Sequence, residues 1–268
     1  MVAGYNQSSG ELLFDTSSPI TDARAKIHTA VAGYSHVFDL AGHQTGIAAV
    51  LPYAWGKASG DVGDDRREVT RSGLGDVRVR LSTLLIGGPA LSPEAFARRT
   101  PAPILGASLI VVAPIGQYVP SRLINIGTNR WAFKPEIGVS YPLGRWQVDG
   151  YAGVWLFGKN DNFLGSTRTQ NALGSFQAHV SYTVRPRLWM ALDTTYYTGG
   201  ATSLDGVADA NRQANLRVGA TLSLPVGRRQ SIQLNYSRGA VTRFGGDFST
   251  IAVAWQSAWF PSRGRPGP

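Results

Sequence analysis

The chain has 268 residues, of which 43% are hydrophobic, and carries a net charge of +9 at neutral pH. No apolar run reaches the roughly eighteen residues that a transmembrane helix needs, and the absence of cysteine excludes disulfides, thiolate metal sites and cysteine nucleophiles. The basic residues are scattered along the chain, whereas a nucleic-acid-binding surface gathers them in a dense patch.

The first 25 residues show the weakest pattern in the chain. Met1 to Gly10 hold neither the basic region nor the apolar core of a secretory leader, so export is an expectation that this segment does not support. A first strand is nevertheless expected near Val2–Phe14, because a barrel with an even number of strands requires one before the better-patterned Lys26–Phe38.

From residue 26 onward, apolar and polar residues alternate with the period of two that is typical of a β-strand. Several segments are ten residues or longer, which suits spanning strands of roughly nine to eleven residues better than soluble strands of about five or six. The predicted strands are Lys26–Phe38, Gln44–Trp55, Asp76–Leu85, Ile104–Tyr118, Arg130–Leu143, Trp146–Phe157, Ala172–Arg185, Leu188–Thr198, Asn211–Leu224, Ser231–Ala240 and Phe248–Phe260.

The predicted connections alternate between two lengths, as in outer-membrane barrels with short periplasmic turns and long outer loops. One exception, Gly87–Pro103, is long where a short turn is due and contains a helix start at Ser92-Pro93-Glu94. The short turns are Asp39–Gly42, Gly144–Arg145, Pro186 and Val226–Arg229, and the long loops are Gly56–Ser72, Gln117–Asn129, Gly158–Thr169 and Gly199–Ala210.

The sequence therefore predicts an all-β protein, an up-and-down antiparallel transmembrane β-barrel of about twelve strands. Residues 1–262 would form this single domain and residues 263–268 a short tail. A soluble β-sandwich remains the alternative, since its strands alternate in the same way. Pro135 is unexpected inside either fold, because it demands a bulge or a missing ladder bond.

Large aromatic residues cluster near the ends of the predicted strands, where the two interfaces of a membrane favour amphipathic rings. In a sandwich the same residues would lie mid-strand, in the core. The predicted interface residues are Trp55, Trp131, Tyr141, Trp146, Trp155, Tyr182, Trp189, Trp255 and Trp259.

Charged residues on the opposite faces of the strands are predicted to line the barrel interior. They would tune the selectivity of a permeation path, or pair with one another and fill the interior, and the two interpretations are compatible. These residues are Asp76, Arg78, Arg80, Arg130, Lys134, Glu136, Asp149, His179, Asp193 and Arg217.

No constellation predicts catalysis, a cofactor or a metal site. His179 and Ser181 share a face, but no residue nearby would orient them as a hydrolase requires. The remaining histidines lack metal-ligand spacing. The acidic and basic Gly56–Arg71 segment is better explained as a solvated loop beside lipopolysaccharide than as a gate of the outer mouth or a site for a divalent ion.

Several stretches resemble the outer-membrane family described as "putative MetA-pathway of phenol degradation". No single motif is specific, but their order and spacing over roughly residues 26 to 260 are. They are Gly73-Leu74-Gly75-Asp76, Pro114-Ile115-Gly116-Gln117-Tyr118, Asn125-Ile126-Gly127-Thr128-Asn129-Arg130-Trp131, Phe133-Lys134-Pro135-Glu136, Tyr151-Ala152-Gly153-Val154-Trp155, Tyr196-Tyr197-Thr198-Gly199-Gly200, Asn235-Tyr236-Ser237-Arg238-Gly239 and Thr242-Arg243-Phe244-Gly245.

The resemblance implies a barrel in the outer membrane of a Gram-negative bacterium, associated with uptake of aromatic or other small organic compounds and not with catalysis. The expected function is a porin-like passive channel, with outer-membrane lipid, lipopolysaccharide and a small organic solute as partners and no nucleic acid. Two alternatives remain, a structural or adhesive barrel with a plugged lumen that acts through its outer loops, and a soluble sandwich that binds a ligand.

Overall fold

The computed structural model describes residues 1–14, 20–92, 95 and 98–259, and the described chain is built almost entirely of β-strands. None of its helical residues belongs to a helix long and apolar enough to cross a membrane. The strands are β1 (Val2–Leu13), β2 (Ile20–Leu40), β3 (His43–Val62), β4 (Asp65–Leu74), β5 (Val77–Ile86), β6 (Ile104–Ala113), β7 (Ala132–Leu143), β8 (Trp146–Phe157), β9 (Asn160–Phe163), β10 (Ser166–Gln170), β11 (Leu173–Arg185), β12 (Leu188–Gly199), β13 (Thr202–Leu204), β14 (Val207–Ala208), β15 (Gln213–Pro225), β16 (Gln230–Val241) and β17 (Gly245–Ser257).

Twelve antiparallel strands close into a barrel. The order is β1, β2, β3, β5, β6, β7, β8, β11, β12, β15, β16 and β17, and β1 pairs with both β2 and β17. The last pair runs from Val2 opposite Gln256 to Leu13 opposite Gly245. The closed barrel confirms the predicted fold and the predicted first strand, and closure leaves no exposed edge between β1 and β17.

The alternation in the sequence follows the two faces of this wall. Apolar side chains point outward and remain exposed in the isolated chain, among them Leu192 at 70%, Ile251 at 65% and Ile137 at 58%. Polar side chains on the alternate positions point inward. An exposed apolar band outside and a polar lining inside is the arrangement that a barrel in a bilayer requires.

The turns at one end of the barrel are tight. Ala41 and Gly42 both have positive φ, the geometry of a two-residue type I′ hairpin, and the Asp39 carboxylate accepts the Gly42 N–H at 2.7 Å. The predicted turns at Gly144–Arg145, Pro186 and Val226–Arg229 lie at this same end. By the asymmetry of such barrels, this is the periplasmic end.

Three of the predicted loops at the other end contain strands. Gly56–Ser72 was expected as a loop but forms the outer halves of β3 and β4, which pair from Tyr53 opposite Leu74 to Val62 opposite Asp65. The loops after β8 and β12 form a separate four-stranded sheet, β14-β13-β10-β9. These predictions were wrong because strands above a membrane need no apolar outer face, so their sequence shows no apolar alternation.

Two further expectations concern local structure. Pro135 leaves a missing ladder bond, as predicted: β7 pairs with β8 at Phe133 and again at Glu136, with no pair between them and no shift of register. The helix start at Ser92-Pro93-Glu94 lies partly outside the described residues, and residues 263–268 lie wholly outside them. The Ala95 N–H donates to the Ser92 hydroxyl at 3.2 Å.

The aromatic residues divide between the two faces. Trp155 and Trp189 were predicted at the membrane interface but point inward, because Trp155 shares the parity of Asp149 and Trp189 that of Asp193. Position along the strand did not determine the face on which a ring lies, because amphipathic rings near strand ends occur on either face. The other predicted aromatics lie on the outward face or pack against it: Trp55, Trp131, Tyr141, Trp146, Tyr182, Trp255 and Trp259.

The outward face can be tested with a charge placed mid-strand. We expect Leu192→Arg to destabilise the barrel by about 2–4 kcal/mol in a lipid environment, because position 192 faces the hydrocarbon. The matched control Ser181→Arg adds the same charge to the inner face of the adjacent strand and should change stability by less than about 1 kcal/mol. Reversible urea unfolding in lipid vesicles measures both, and equal costs would contradict the assignment of the faces.

Candidate functional site: an outer vestibule above a charged lumen

One segment leaves the barrel wall and folds over the outer mouth. β6 ends at Ala113, although its partner β5 continues through Gly75 and Asp76 into β4. Residues 114–131 form no strand, and the predicted strand Ile104–Tyr118 is therefore too long by five residues. The Gln117 N–H donates to the Leu74 carbonyl at 2.8 Å, so the segment follows the otherwise unpaired edge of β4.

The Asp76 carboxylate fixes the two ends of this segment to each other. Its Oδ1 accepts the Gly116 N–H at 2.9 Å, and its Oδ2 accepts the Thr128 N–H at 2.8 Å and the Thr128 hydroxyl at 2.6 Å. Gly116 and Gly127 are glycines for a steric reason, since a Cβ on Gly127 would lie 2.7 Å from the Gly116 backbone. A buried carboxylate with three donors is a strong, charge-assisted anchor.

Two asparagines reinforce the folded segment. Asn160, which is 3% exposed, donates to the Tyr118 hydroxyl at 2.9 Å and to the Thr128 carbonyl at 3.2 Å, and accepts from Asn129 at 2.8 Å. Asn125 accepts the Val119 N–H at 2.8 Å and donates to the Arg122 carbonyl at 2.7 Å. These hydrogen bonds hold the segment in a fixed shape.

The folded segment encloses an apolar vestibule of about 620 Å³ at the outer mouth. One side is formed by the inner faces of β1 to β4 and the other by the tip of the segment, whose Ile124 carbonyl accepts from the Arg71 guanidinium at 3.0 Å. The apolar lining consists of Leu12, Phe14, Ala25, Ile27, Trp55, Ala58, Val69, Leu123, Ile124, Ile126, Phe163, Leu164, Leu204 and Phe248. The polar and charged residues of the lining are Lys57, Arg71, Asn125, Arg168, Asp209 and Asn211.

The charged residues predicted to line the lumen all share the inward parity of the wall, apart from Arg130, which precedes β7. Three of them form a cluster: Glu136 accepts from Lys134 at 2.5 Å and from Arg80 at 3.2 Å. The Lys134 and Glu136 side chains are 3% and 5% exposed, whereas Arg80 is 45% exposed. Lys134 and Glu136 therefore belong to the wall, while Arg80 reaches into the lumen.

A second cluster lies on β11, β12 and β15. His179 Nδ1 is 2.6 Å from Asp193 Oδ1, and the Thr221 hydroxyl donates to Asp193 Oδ2 at 2.7 Å. Asp149 accepts from Gln147 at 3.0 Å. His179 thus bonds to Asp193, and in the described residues it makes no bond to Ser181.

Arg130 carries a buried donor atom without a partner among the described residues. Its guanidinium stacks on Phe157 at 4.6 Å and donates through Nη2 to Gln170, but Nη1 is buried with no hydrogen-bond partner among the described residues. Burial, followed by the nearby charge of Arg168, lowers the pKa of Arg130 to about 10. It therefore stays protonated at neutral pH.

The Gly56–Arg71 segment forms ion pairs above the barrel. Arg66 bridges Asp22 at 2.9 Å and Asp61 at 3.0 Å, and hydrogen bonding to Arg66 lowers the pKa of Asp22. The described residues contain no group of three or more histidine or acidic side chains arranged to hold a metal ion.

Part of this site was not predicted. Asp76 was predicted as a lumen charge but serves as an anchor, and Asn160, Asn125 and the apolar vestibule were missed. A signal was present, since the family-like motifs at 73–76, 114–118 and 125–131 all meet at Asp76. Sequence order alone did not indicate that they meet.

Comparison with known proteins supports the fold. The profile of the family described as "Putative MetA-pathway of phenol degradation" matches residues 6–248. The COG4313 outer membrane channel from Pseudomonas putida F1 is 20% identical with a TM-score of 0.77, covering 95% of this chain and 92% of that one.

Two more distant structures share the barrel. The β domain of the Bordetella autotransporter BrkA is 12% identical, with a TM-score of 0.55 and coverage of 96% and 98%. The KdgM porin is 8% identical, with a TM-score of 0.53 and coverage of 97% and 100%. No curated protein matches the chain. These likenesses establish an outer-membrane barrel fold.

The anchoring role of Asp76 can be tested by removing its charge. Asp76→Asn places an amide opposite donors, which should destabilise the closed segment by about 1–3 kcal/mol. We expect trypsin to cut at the exposed Arg122 on the order of tenfold faster in the folded protein. Asp64→Asn in the β3–β4 turn, where Asp64 has no partner in the described chain, should leave the rate unchanged. Equal rates in both variants would contradict the anchor.

Proposed function

The chain belongs to the family described as "Putative MetA-pathway of phenol degradation", and from this premise we propose that it is an outer-membrane channel for passive uptake of small hydrophobic or aromatic compounds. The solute enters the outer vestibule, crosses the lumen and leaves at the periplasmic end. The protein performs no chemical step on it.

The observation that carries this proposal is the apolar vestibule. Fourteen apolar residues outnumber six polar or charged ones in the lining of a mouth that opens into water, where a channel for hydrophilic solutes would carry mainly polar groups. Its volume of about 620 Å³ falls in the range of roughly 300–1,000 Å³ that holds small organic ligands. An aromatic molecule gains free energy by leaving water at this point.

The proposed partners include the lipids of the outer leaflet. Tyr5, His28 and Trp55 stack on the outward face, with the His28 and Trp55 rings 5.5 Å apart. Lys26 and Lys57 follow on the same face, one step further from the membrane centre. Amphipathic rings followed by cations fit the boundary between acyl chains and the phosphates of lipopolysaccharide.

Uptake of an apolar probe by intact cells tests this function, since the lipopolysaccharide layer blocks the probe in the absence of a channel. We expect cells that carry the protein to take up N-phenylnaphthylamine faster than porin-deficient cells without it. Leu123→Asp places a charge on the vestibule lining and should slow uptake severalfold, because a desolvated carboxylate disfavours apolar contact.

Val207→Asp is the matched control, because Val207 is 73% exposed in the outer sheet and does not line the vestibule. It should take up the probe at the rate of the unchanged protein. Uptake no faster than in cells without the protein, with the barrel correctly assembled, would refute the channel.

A further inference from the structure

Arginines without carboxylate partners extend from the vestibule into the lumen. We propose that the transported solute is an amphipathic organic anion, with an apolar body that occupies the vestibule and a carboxylate that passes along these arginines. The inference rests on the proposed channel function and deepens it by naming the class of solute.

The first two arginines are Arg168, in the vestibule lining, and Arg130 near it. Arg168 lines the vestibule, and its guanidinium packs over Phe163 at 4.9 Å. The Arg168 side chain forms no ion pair or hydrogen bond in the described chain. It lies close enough to Arg130 for their charges to interact. Two neighbouring guanidinium groups repel each other, and a bound anion relieves that repulsion.

The buried Nη1 atom of Arg130 is a second, independent sign of a ligand. A buried donor without an acceptor costs about 1–3 kcal/mol, more when it is charged, so proteins rarely leave one unsatisfied. A carboxylate that passes from the vestibule to the side chain of Arg130 would supply the acceptor. Phe157, on which the guanidinium stacks, would then lie beside the apolar part of the same solute.

The third arginine lies deeper. Arg78 shares the inward face with Asp76 and is two residues nearer the periplasmic end of the same strand, a distance of about 7 Å. Its side chain is exposed to the lumen and, among the described residues, has no hydrogen bond or ion pair. Its charge and that of Arg217 both act on Tyr197, which lies on β12 across the lumen.

The acids of the inner face do not balance these charges. Asp76 is bound to Gly116 and Thr128, Glu136 to Lys134 and Arg80, and Asp193 to His179 and Thr221. Asp149, also on the inner face, bonds to Gln147 on its own strand, and Asp209 in the vestibule lining accepts from the Thr202 hydroxyl. An excess of unpaired cations in a confined space lowers the barrier to anions and raises it for cations.

The test is a pair of reversal potentials across a planar bilayer that contains the purified protein. With a gradient of sodium benzoate we expect benzoate to be at least about threefold more permeant than sodium. With a gradient of benzyltrimethylammonium chloride, which has a similar apolar ring and the opposite charge, the organic cation should be less permeant than chloride.

Arg78→Gln should lower the benzoate-to-sodium permeability ratio by about two- to fivefold. The side chain has no partner in the described residues, so its removal should leave the barrel intact. Arg238→Gln is the matched control, because Arg238 lies on the outward face of β16 and should not alter the ratio. Arg168→Gln tests the vestibule end in the same way.

The outcomes separate this inference from the channel itself. A benzoate-to-sodium ratio of one or less, or a ratio unchanged in both Arg78→Gln and Arg168→Gln, overturns the preference for anions even if apolar probes still enter cells. A correctly assembled barrel with no conductance and no probe uptake overturns the channel, and the inference with it.

Discussion

The rest of the structure depends on one constraint, that a chain in a bilayer must satisfy every backbone N–H and C=O from within. Twelve strands meet it by closing β1 onto β17. The wall is interrupted above Ala113, where β6 ends while β4 continues. Residues 114–131 fill that place, and the Asp76 carboxylate supplies the acceptors that a neighbouring strand would have supplied.

The inward-folded segment gives the pore two different linings in series. Its apolar tip and the inner faces of β1 to β4 form the vestibule, and below it the lumen is lined by charged and polar side chains. A hydrophobic entrance captures molecules that water expels, and an ionic interior selects among them by charge. In the proposed channel for organic anions, this order gives the arginines inside the barrel a role in selection.

Much of the fold could be predicted from the sequence because a barrel wall has a simple code. Ile137 and Leu192 face lipid while Glu136 and Asp193 face the lumen, and this period of two fixes both faces. The missing ladder bond at Pro135 was one of the two outcomes expected of a proline in a strand. The first strand was predicted correctly from the parity of the strand count alone. Trp155 and Trp189 failed because a ring near a strand end suits either face.

The site was less predictable because it depends on contacts that no local pattern encodes. Asp76 binds Gly116 and Thr128, which lie 40 and 52 residues further along the chain. Asn160 contacts the segment from the next outer loop. The apolar tip at Leu123 to Ile126 was read as part of a long loop. Only its docking against β4 and the outer sheet turns it into a lining.

The measurement that tests this account most directly follows the path itself, and a chain without cysteine makes it clean. Single cysteines would replace Arg78 on the inner face and Val79 on the outer face of the same strand. A membrane-impermeant anionic thiol reagent, added from the outer side of a bilayer, should reduce the current through the Arg78→Cys channel. It should leave the current through the Val79→Cys channel unchanged. A cysteine at 78 that reacts only after the barrel is unfolded would contradict a path from the vestibule into the lumen.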